Sequence, residues 1–408
     1  MRILFVHEQA GFQGGAEANV HQVATAFAAK GHRVDLLYSE LGEDGGGGFL
    51  DVFEEHWPSP ELGAALATQP DVVYVHKVSD LHLLRRLTAS GRPLVRMVHD
   101  HDSYCQRSSR YFPWNRTICT RKAGYRCALT CGVLRNRGGR IPLKLAWPGQ
   151  KLAEMELCKR FGTHLVQTPY MESELVLHGI PPASIRVLPV APKQVEMDPG
   201  AGDSSAHILF VGQLLRGKGV DFLLRALALV RERQLGTGED WTCTIAGEGS
   251  HLSACQSLAE ELALTDRVQF AGRLSRDELA AEYQRARLGV VPSVWPEPMG
   301  MVGLEFMWAA LPVVAFDAGG ISHWLEDGRT GYLAAPKDVA GLADHITKLL
   351  ADPGLAEQMG RRARRVAEEK YDHGDYIDQL LQILAEAAGL APAGEEVQPA
   401  RIPEVATA

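Results

Sequence analysis

One pattern constrains this chain more than any other: an alternating strand–helix series is written into it twice. Short β-branched runs alternate with amphipathic stretches at Ile3–His7, Val34–Tyr38, Val72–His76, Leu94–His99, His164–Gln167 and Ile185–Leu188. The series then starts afresh at Ile208-Leu209-Phe210-Val211-Gly212 and continues through Thr242–Ala246, Val268–Phe270, Gly289–Pro292 and Val313–Phe316. Such alternation predicts parallel sheets covered by helices. At 408 residues the chain exceeds what one hydrophobic core usually supports. Two Rossmann-like α/β domains are therefore expected, at 1–192 and 207–370, with a linker at 193–206 around Asp198-Pro199-Gly200-Ala201-Gly202. An amphipathic segment follows at 371–388, and the Ala- and Glu-rich residues 389–408 have the composition of a disordered tail.

The net charge of −8 argues against a dedicated nucleic-acid binder. The apolar run at Ile3–Val6 is too short for a signal peptide. No stretch approaches the roughly 18 uncharged apolar residues of a membrane span. Seven cysteines, an odd number not spread like a disulfide framework, point to a reducing cytoplasm.

The segment Trp295-Pro-Glu-Pro-Met-Gly-Met-Val-Gly-Leu-Glu305 carries the most chemistry. A strand ends near Pro292, a loop follows, and a helix starts around Gly300. A helix start offers unpaired N–H groups and the positive end of the dipole, which suits a diphosphate. Glu297 precedes the helix and Glu305 lies about one and a half turns inside it, so one carboxylate can face a sugar and the other a ribose. A surface loop with a capping acid is the alternative.

Glu297-x7-Glu305, followed by Ala309-Ala-Leu-Pro-Val-Val-Ala315 and Gly319-Gly320, resembles the family 4 retaining glycosyltransferases of the GT-B fold. The likeness runs from Met1 to about residue 370. It implies two Rossmann-like domains facing across a cleft, with a C-terminal helix crossing back to the first domain. It also implies transfer from a UDP- or GDP-sugar, without a catalytic metal, to a glycan or lipid-linked acceptor in cell-surface polysaccharide or glycolipid synthesis. By that resemblance Glu297 contacts the sugar, Glu305 the ribose, and the amides of Met299, Gly300, Met301 and Val302 meet the sugar and phosphates. Gly212-Gln213-Leu-Leu-Arg216-Gly-Lys218 follows the first strand of the second domain. Lys218 matches the family's phosphate-binding lysine. The family usually has Arg directly after the strand-end Gly, where this chain has Gln213 after Gly212, and Arg216 is the candidate substitute. Gly247, Gly272 and Arg273 could border the nucleotide, and His323 stands where the family has Glu. Three other readings share some of these features: a sugar-nucleotide epimerase of the same fold, a glycogen-phosphorylase-like enzyme, and a catalytically silent partner-binding protein. Phosphorylase-like chains are far longer.

In the first domain Gly14-Gly15-Ala16-Glu17 opens a helix predicted to run from Ala16 to Lys30. Close approach to a ligand phosphate or acceptor would explain these glycines, and so would a tight turn. The spacing is not that of a dinucleotide oxidoreductase. His99-Asp100-His101-Asp102 lies at a strand end, where such sheets place ligand contacts. Asp-x-Asp is a metal signature of the GT-A fold, but that fold leaves the second domain unexplained. His99 resembles the family's strand-end histidine facing the donor sugar, with Asp100 to orient it.

Cys105, Cys119, Cys127 and Cys131 lie within one insertion, at about 103–161. A structural zinc site and four unligated thiols are both open readings. The span Ser103–Phe161 holds thirteen Lys or Arg against Glu154 and Glu156, with Tyr111, Phe112, Trp114 and Trp147 among them. Basic residues with aromatics suit an anionic inner-membrane surface or a phosphate-bearing lipid acceptor, and a solvated basic face is the plain alternative.

Overall fold

The computed structural model describes residues 1–12, 14–42, 45–132, 134–136, 143–145, 147–192, 206–233 and 240–390. The expected linker, apart from Ala206, and the tail beyond Leu390 lie outside them. The chain divides into two compact units, one of Met1–Ser108, Arg121–Pro189 and the described residues of His373–Ala408, the other of Ser109–Thr120 and Val190–Asp372.

The first unit carries β1 (Arg2–Ala10), β2 (Arg33–Leu41), β3 (His56–Pro58), β4 (Val72–Val75), β5 (Leu94–Met97), an antiparallel pair β6 (Leu134–Asn136) and β7 (Leu143–Leu145), β8 (Thr163–Val166) and β9 (Ile185–Val187). Its main sheet has the order β3-β2-β1-β4-β5-β8-β9, every pairing parallel. All four residues of Val72–Val75 are buried, as a strand covered by helices on both faces requires. The predicted first helix spans Gly15–Ala29. The amphipathic C-terminal segment is the helix His373–Ala387, and it packs in the first unit. There Tyr376 hydrogen-bonds Asn19 at 3.5 Å and Asp378 pairs with Lys30 at 2.7 Å.

The second unit has β10 (Ala206–Val211), β11 (Trp241–Ala246), β12 (Val268–Gly272), β13 (Leu288–Val291), β14 (Val313–Phe316) and β15 (Gly331–Ala334). Their order is β12-β11-β10-β13-β14-β15, again wholly parallel. The strand order reverses between β10 and β13, and ligands of open α/β sheets bind beyond the carboxyl ends of strands at such a point. The core beneath joins Ile208, Leu224, Ile245, Val290, Val314 and Leu349. Each such side chain contributes on the order of 1.5–3 kcal/mol by leaving water.

Two findings depart from the sequence. Strands β3, β6, β7 and β15 have no counterpart in its periodicity, since three or four residues carry too little pattern. The basic insertion was expected wholly within the first domain, yet Ser109–Thr120 belongs to the second unit. Ion pairing and hydrogen bonding there, chiefly through Arg116, hold it. Among the described residues no helix is long and apolar enough to cross a membrane.

Candidate functional site

In the second unit the switch point brings two loops together. The first leaves β10 at Gly212 and makes a short 3-10 turn at Arg216–Lys218 before the helix Val220–Arg233. Gly219 ends that turn at φ +74, and a Cβ there would lie 1.8 Å from the Pro292 carbonyl oxygen. Only glycine lets the first loop lie so close to the end of β13. The second loop runs from Pro292 to Gly300 and starts the helix Met301–Trp308.

Lys218 and Glu297, seventy-nine residues apart, meet here: the Lys218 ammonium donates to Glu297 Oε1 at 2.7 Å. Ser293 Oγ donates to the same oxygen at 2.5 Å, and Lys218 Nζ lies 4.7 Å from the centre of the Trp295 ring. Glu297 is buried and Lys218 partly exposed, so the cation reaches solvent while its partner stays fixed. Glu297 is clamped by its backbone too. Its N–H donates to the Ala318 carbonyl at 3.0 Å, and its carbonyl accepts from Gly320 at 2.6 Å. Gly319 sits at φ +73, with any Cβ 2.6 Å from Glu297 N and O. The glycine pair therefore serves to hold Glu297.

Gly300 adopts the left-handed conformation at φ 84 and is the N-cap of the helix. Its neighbour Met299 is buried, and the Met299 carbonyl accepts from Trp324 Nε1 at 2.6 Å. Trp324 also fills the space beside Gly303, where a Cβ would come within 2.1 Å of the indole. Met301 and Val302 supply the first helical N–H groups, which have no acceptor within a helix. Glu305 accepts from the Tyr283 hydroxyl at 2.7 Å. Burial raises its pKa above the usual carboxylate value, and the Tyr283 bond only partly offsets this. Hydroxyl donors from a ligand would relieve that cost.

The remaining second-unit candidates border this place. Gly247 N–H donates to the Gly272 carbonyl at 2.7 Å, and a Cβ on Gly247 would strike the Gly212 carbonyl oxygen at 1.9 Å. Arg273 and Gln213 are exposed. Arg216, the expected second cation, is exposed and donates to the Pro113 carbonyl at 2.7 Å, so its guanidinium is engaged by the segment 109–120. Burial lowers the basicity of His323, with Asp317 opposing.

In the first unit His99 follows β5, and its Nε2 lies 2.8 Å from Nδ1 of His76, which follows β4. His7 on β1 is the third ring of the cluster, 3.6 Å from Glu17. Asp100 was expected to orient His99, but its carboxylate pairs with Lys77 at 2.8 Å and accepts from Asp102 N–H at 2.7 Å. His76 holds His99 instead. Burial, with the positive charges of His7 and Lys77, pushes His99 down to about 3, and burial brings His7 to about 4. His99 is therefore neutral at ordinary pH and can act as a hydrogen-bond partner rather than a cation. Lys77 also pairs with Asp102 at 3.1 Å, so an ammonium occupies the Asp-x-Asp pair. Beside it lies a cavity of about 130 Å³ lined by Glu8, Lys77, His99, Asp100, Lys151 and Glu154. Gly14 is extended and Gly15 has open space where a Cβ would stand, so no tight turn demands either residue.

Cys105, Cys127 and Cys131 lie in the first unit and Cys119 in the second, all half-buried. Among the described residues no three His, Cys, Asp or Glu are grouped so as to hold a metal ion. Sequence reasoning overlooked Ser293, Trp295, Tyr283, Trp324 and His76. Ser293 and His76 left a signal, each as a polar side chain at or next to the end of a strand candidate.

Comparison with known proteins follows the same division. A family model described as Glycosyltransferase Family 4 matches residues 13–191, and one described as Glycosyl transferases group 1 matches 197–366. Glycogen synthase of Mycobacterium tuberculosis is 30% identical over 318 residues, which is 76% of this chain and 68% of that protein. Alpha-D-kanosaminyltransferase of Streptomyces kanamyceticus is 33% identical over 184 residues, 45% of this chain and 46% of its own length. Among solved structures, Anabaena HepE in complex with UDP is similar with a TM-score of 0.72, over 95% of this chain and 100% of that one, at 18% identity. The fold is thus GT-B.

Proposed function

The chain belongs to glycosyltransferase family 4, and we propose that it is a retaining enzyme, moving a sugar from a nucleotide-diphosphate donor to a glycan or lipid-linked acceptor. The observation that carries this is the Lys218–Glu297 pair, 2.7 Å apart at the strand-order reversal and beside the helix start at Gly300. A diphosphate leaving group gains charge as the glycosidic bond breaks. The Lys218 ammonium and the N–H groups of Met301 and Val302 would stabilise it without a divalent ion. As phosphate draws Lys218 away, Glu297 Oε1 becomes available to the sugar hydroxyls. Glu305 takes the ribose hydroxyls, and Arg216 supports the phosphates once it leaves the Pro113 carbonyl. Gly212, Gly247, Gly272 and Arg273 border the nucleotide. His99, neutral and held by His76, is assigned to the transferred sugar, with Gly15 on the donor side. The solved complexes of HepE with UDP and UDP-glucose favour a uridine donor. The basic insertion is assigned to an anionic inner-membrane surface or lipid acceptor.

Melting curves with UDP-, GDP- and ADP-sugars test the donor site, since a bound ligand stabilises the fold by mass action. One nucleotide should raise Tm; no shift with any of them would remove the assignment. Transfer should also survive EDTA. Activity lost on chelation and restored only by Mg²⁺ or Mn²⁺ would show that a metal is required.

A further inference from the structure

The segment 109–120 forms a small hairpin that folds with the second unit. Tyr111 and Ile118 bridge antiparallel, and Phe112 N–H donates to the Thr117 carbonyl at 2.9 Å. The hairpin is fastened to the surroundings of Lys218 at several points. Arg116 grips Asp221 with both terminal nitrogens, at 2.8 and 2.6 Å, and donates to the Arg216 carbonyl at 3.0 Å. Its guanidinium lies 4.3 Å from the centre of the Phe222 ring. Lys337 Nζ donates to the Asn115 carbonyl at 2.7 Å and to Thr117 Oγ1 at 3.1 Å. Tyr111 closes over Gly217, where a Cβ would lie 3.0 Å from its ring.

Arg116 also sits at φ 56. A side chain in that left-handed region is strained and persists only where its surroundings over-determine it. From this strained backbone position one guanidinium joins the backbone two residues before Lys218 to a carboxylate three residues after it. The turn that presents Lys218 is braced on both sides by a residue 100 to 105 positions earlier in the chain than the groups it holds.

We propose that Arg116 is a positioning residue for the diphosphate site: it holds the Leu215–Gly219 turn so that the Lys218 ammonium points at the phosphates. This rests on the assignment of Lys218 to the diphosphate. The test is calorimetry with UDP, GDP, UMP and GMP on the full chain, comparing wild type with Arg116→Gly, Asp221→Asn and Lys218→Ala. Glycine accepts φ 56 without strain, so Arg116→Gly deletes the guanidinium while the hairpin backbone stays allowed. Arg116→Gly and Asp221→Asn should each weaken diphosphate binding about tenfold, as loss of a coupled contact does, and leave monophosphate binding within about twofold. Full diphosphate affinity in Arg116→Gly, beside a loss in Lys218→Ala, would overturn the role of Arg116 and leave the site standing. Equal losses of monophosphate and diphosphate would overturn it as well. No diphosphate binding by wild type, or none lost in Lys218→Ala, would instead overturn the site itself. Should Arg116→Gly fail to fold, Asp221→Asn decides the matter alone.

Discussion

Replacing Gly319 by alanine tests whether the backbone clamp on Glu297 matters to the chemistry. The substitution does two separable things. It places a side chain at φ +73, which costs roughly 1–2 kcal/mol anywhere in a fold. It also brings a Cβ to 2.6 Å from both the N and the O of Glu297, where ordinary contact begins at 3.4 Å. The Glu297 backbone must therefore retreat by roughly half an ångström or more, a strain of about 1–3 kcal/mol by analogy with overpacked cores. The sum is roughly 2–5 kcal/mol, which lowers Tm on the order of 10 °C for a unit of this size. Catalysis should suffer beyond stability, because a displacement near 1 Å can cost about a hundredfold in rate. Gly328→Ala is the matched control: Gly328 has φ +69 and nothing within 4 Å of its missing Cβ. Both variants should melt earlier than wild type. Only Gly319→Ala should lose donor turnover, about ten- to a hundredfold below its melting range. Equal turnover in the two variants, followed as nucleotide release from the donor, would refute the clamp.

Lys218→Ala should weaken UDP or GDP binding by about 1.5–3 kcal/mol, the worth of a charge-assisted bond; unchanged affinity by calorimetry would count against the site. Burial raises the folded-state pKa of Glu305 above 4.5. Its contribution is therefore full below that pH and is lost as pH rises through the raised value. Glu305→Gln should then match or exceed wild-type Tm at pH 7, lose that advantage near pH 4.5, and bind donor more weakly. A variant less stable than wild type at neutral pH would show that burial is not the dominant cost. His7 and His99 fall from 6.5 to about 4 and about 3. The unfolded chain takes up their protons first, so they weaken the fold progressively below pH 6.5. The urea midpoint should drop from pH 7 to pH 4.5, and a flat profile would contradict the burial of this cluster.

Local pattern carried a great deal of this protein. Strand runs such as Val72–Val75 and Val313–Phe316 announce buried parallel sheet, because a strand covered on both faces must be apolar throughout. The second start at Ile208 implied a second sheet. Glu297, Gly300, Glu305 and Lys218 stood out as candidates because strand ends and helix starts are local features, and because the motif around them resembles a known family. Proximity was not legible. That Lys218 meets Glu297, that Gly319 clamps it, that His76 rather than Asp100 holds His99, and that Arg116 braces the turn are contacts between residues from 22 to 105 positions apart. Such pairings leave no periodic trace, since they depend on which strands lie side by side and which loops emerge at the same edge. The sequence by itself determined the two α/β series and the residue types able to bind a diphosphate. Only the tertiary structure decided which of those residues touch, because in a parallel sheet neighbours in space are separated by whole crossovers of chain.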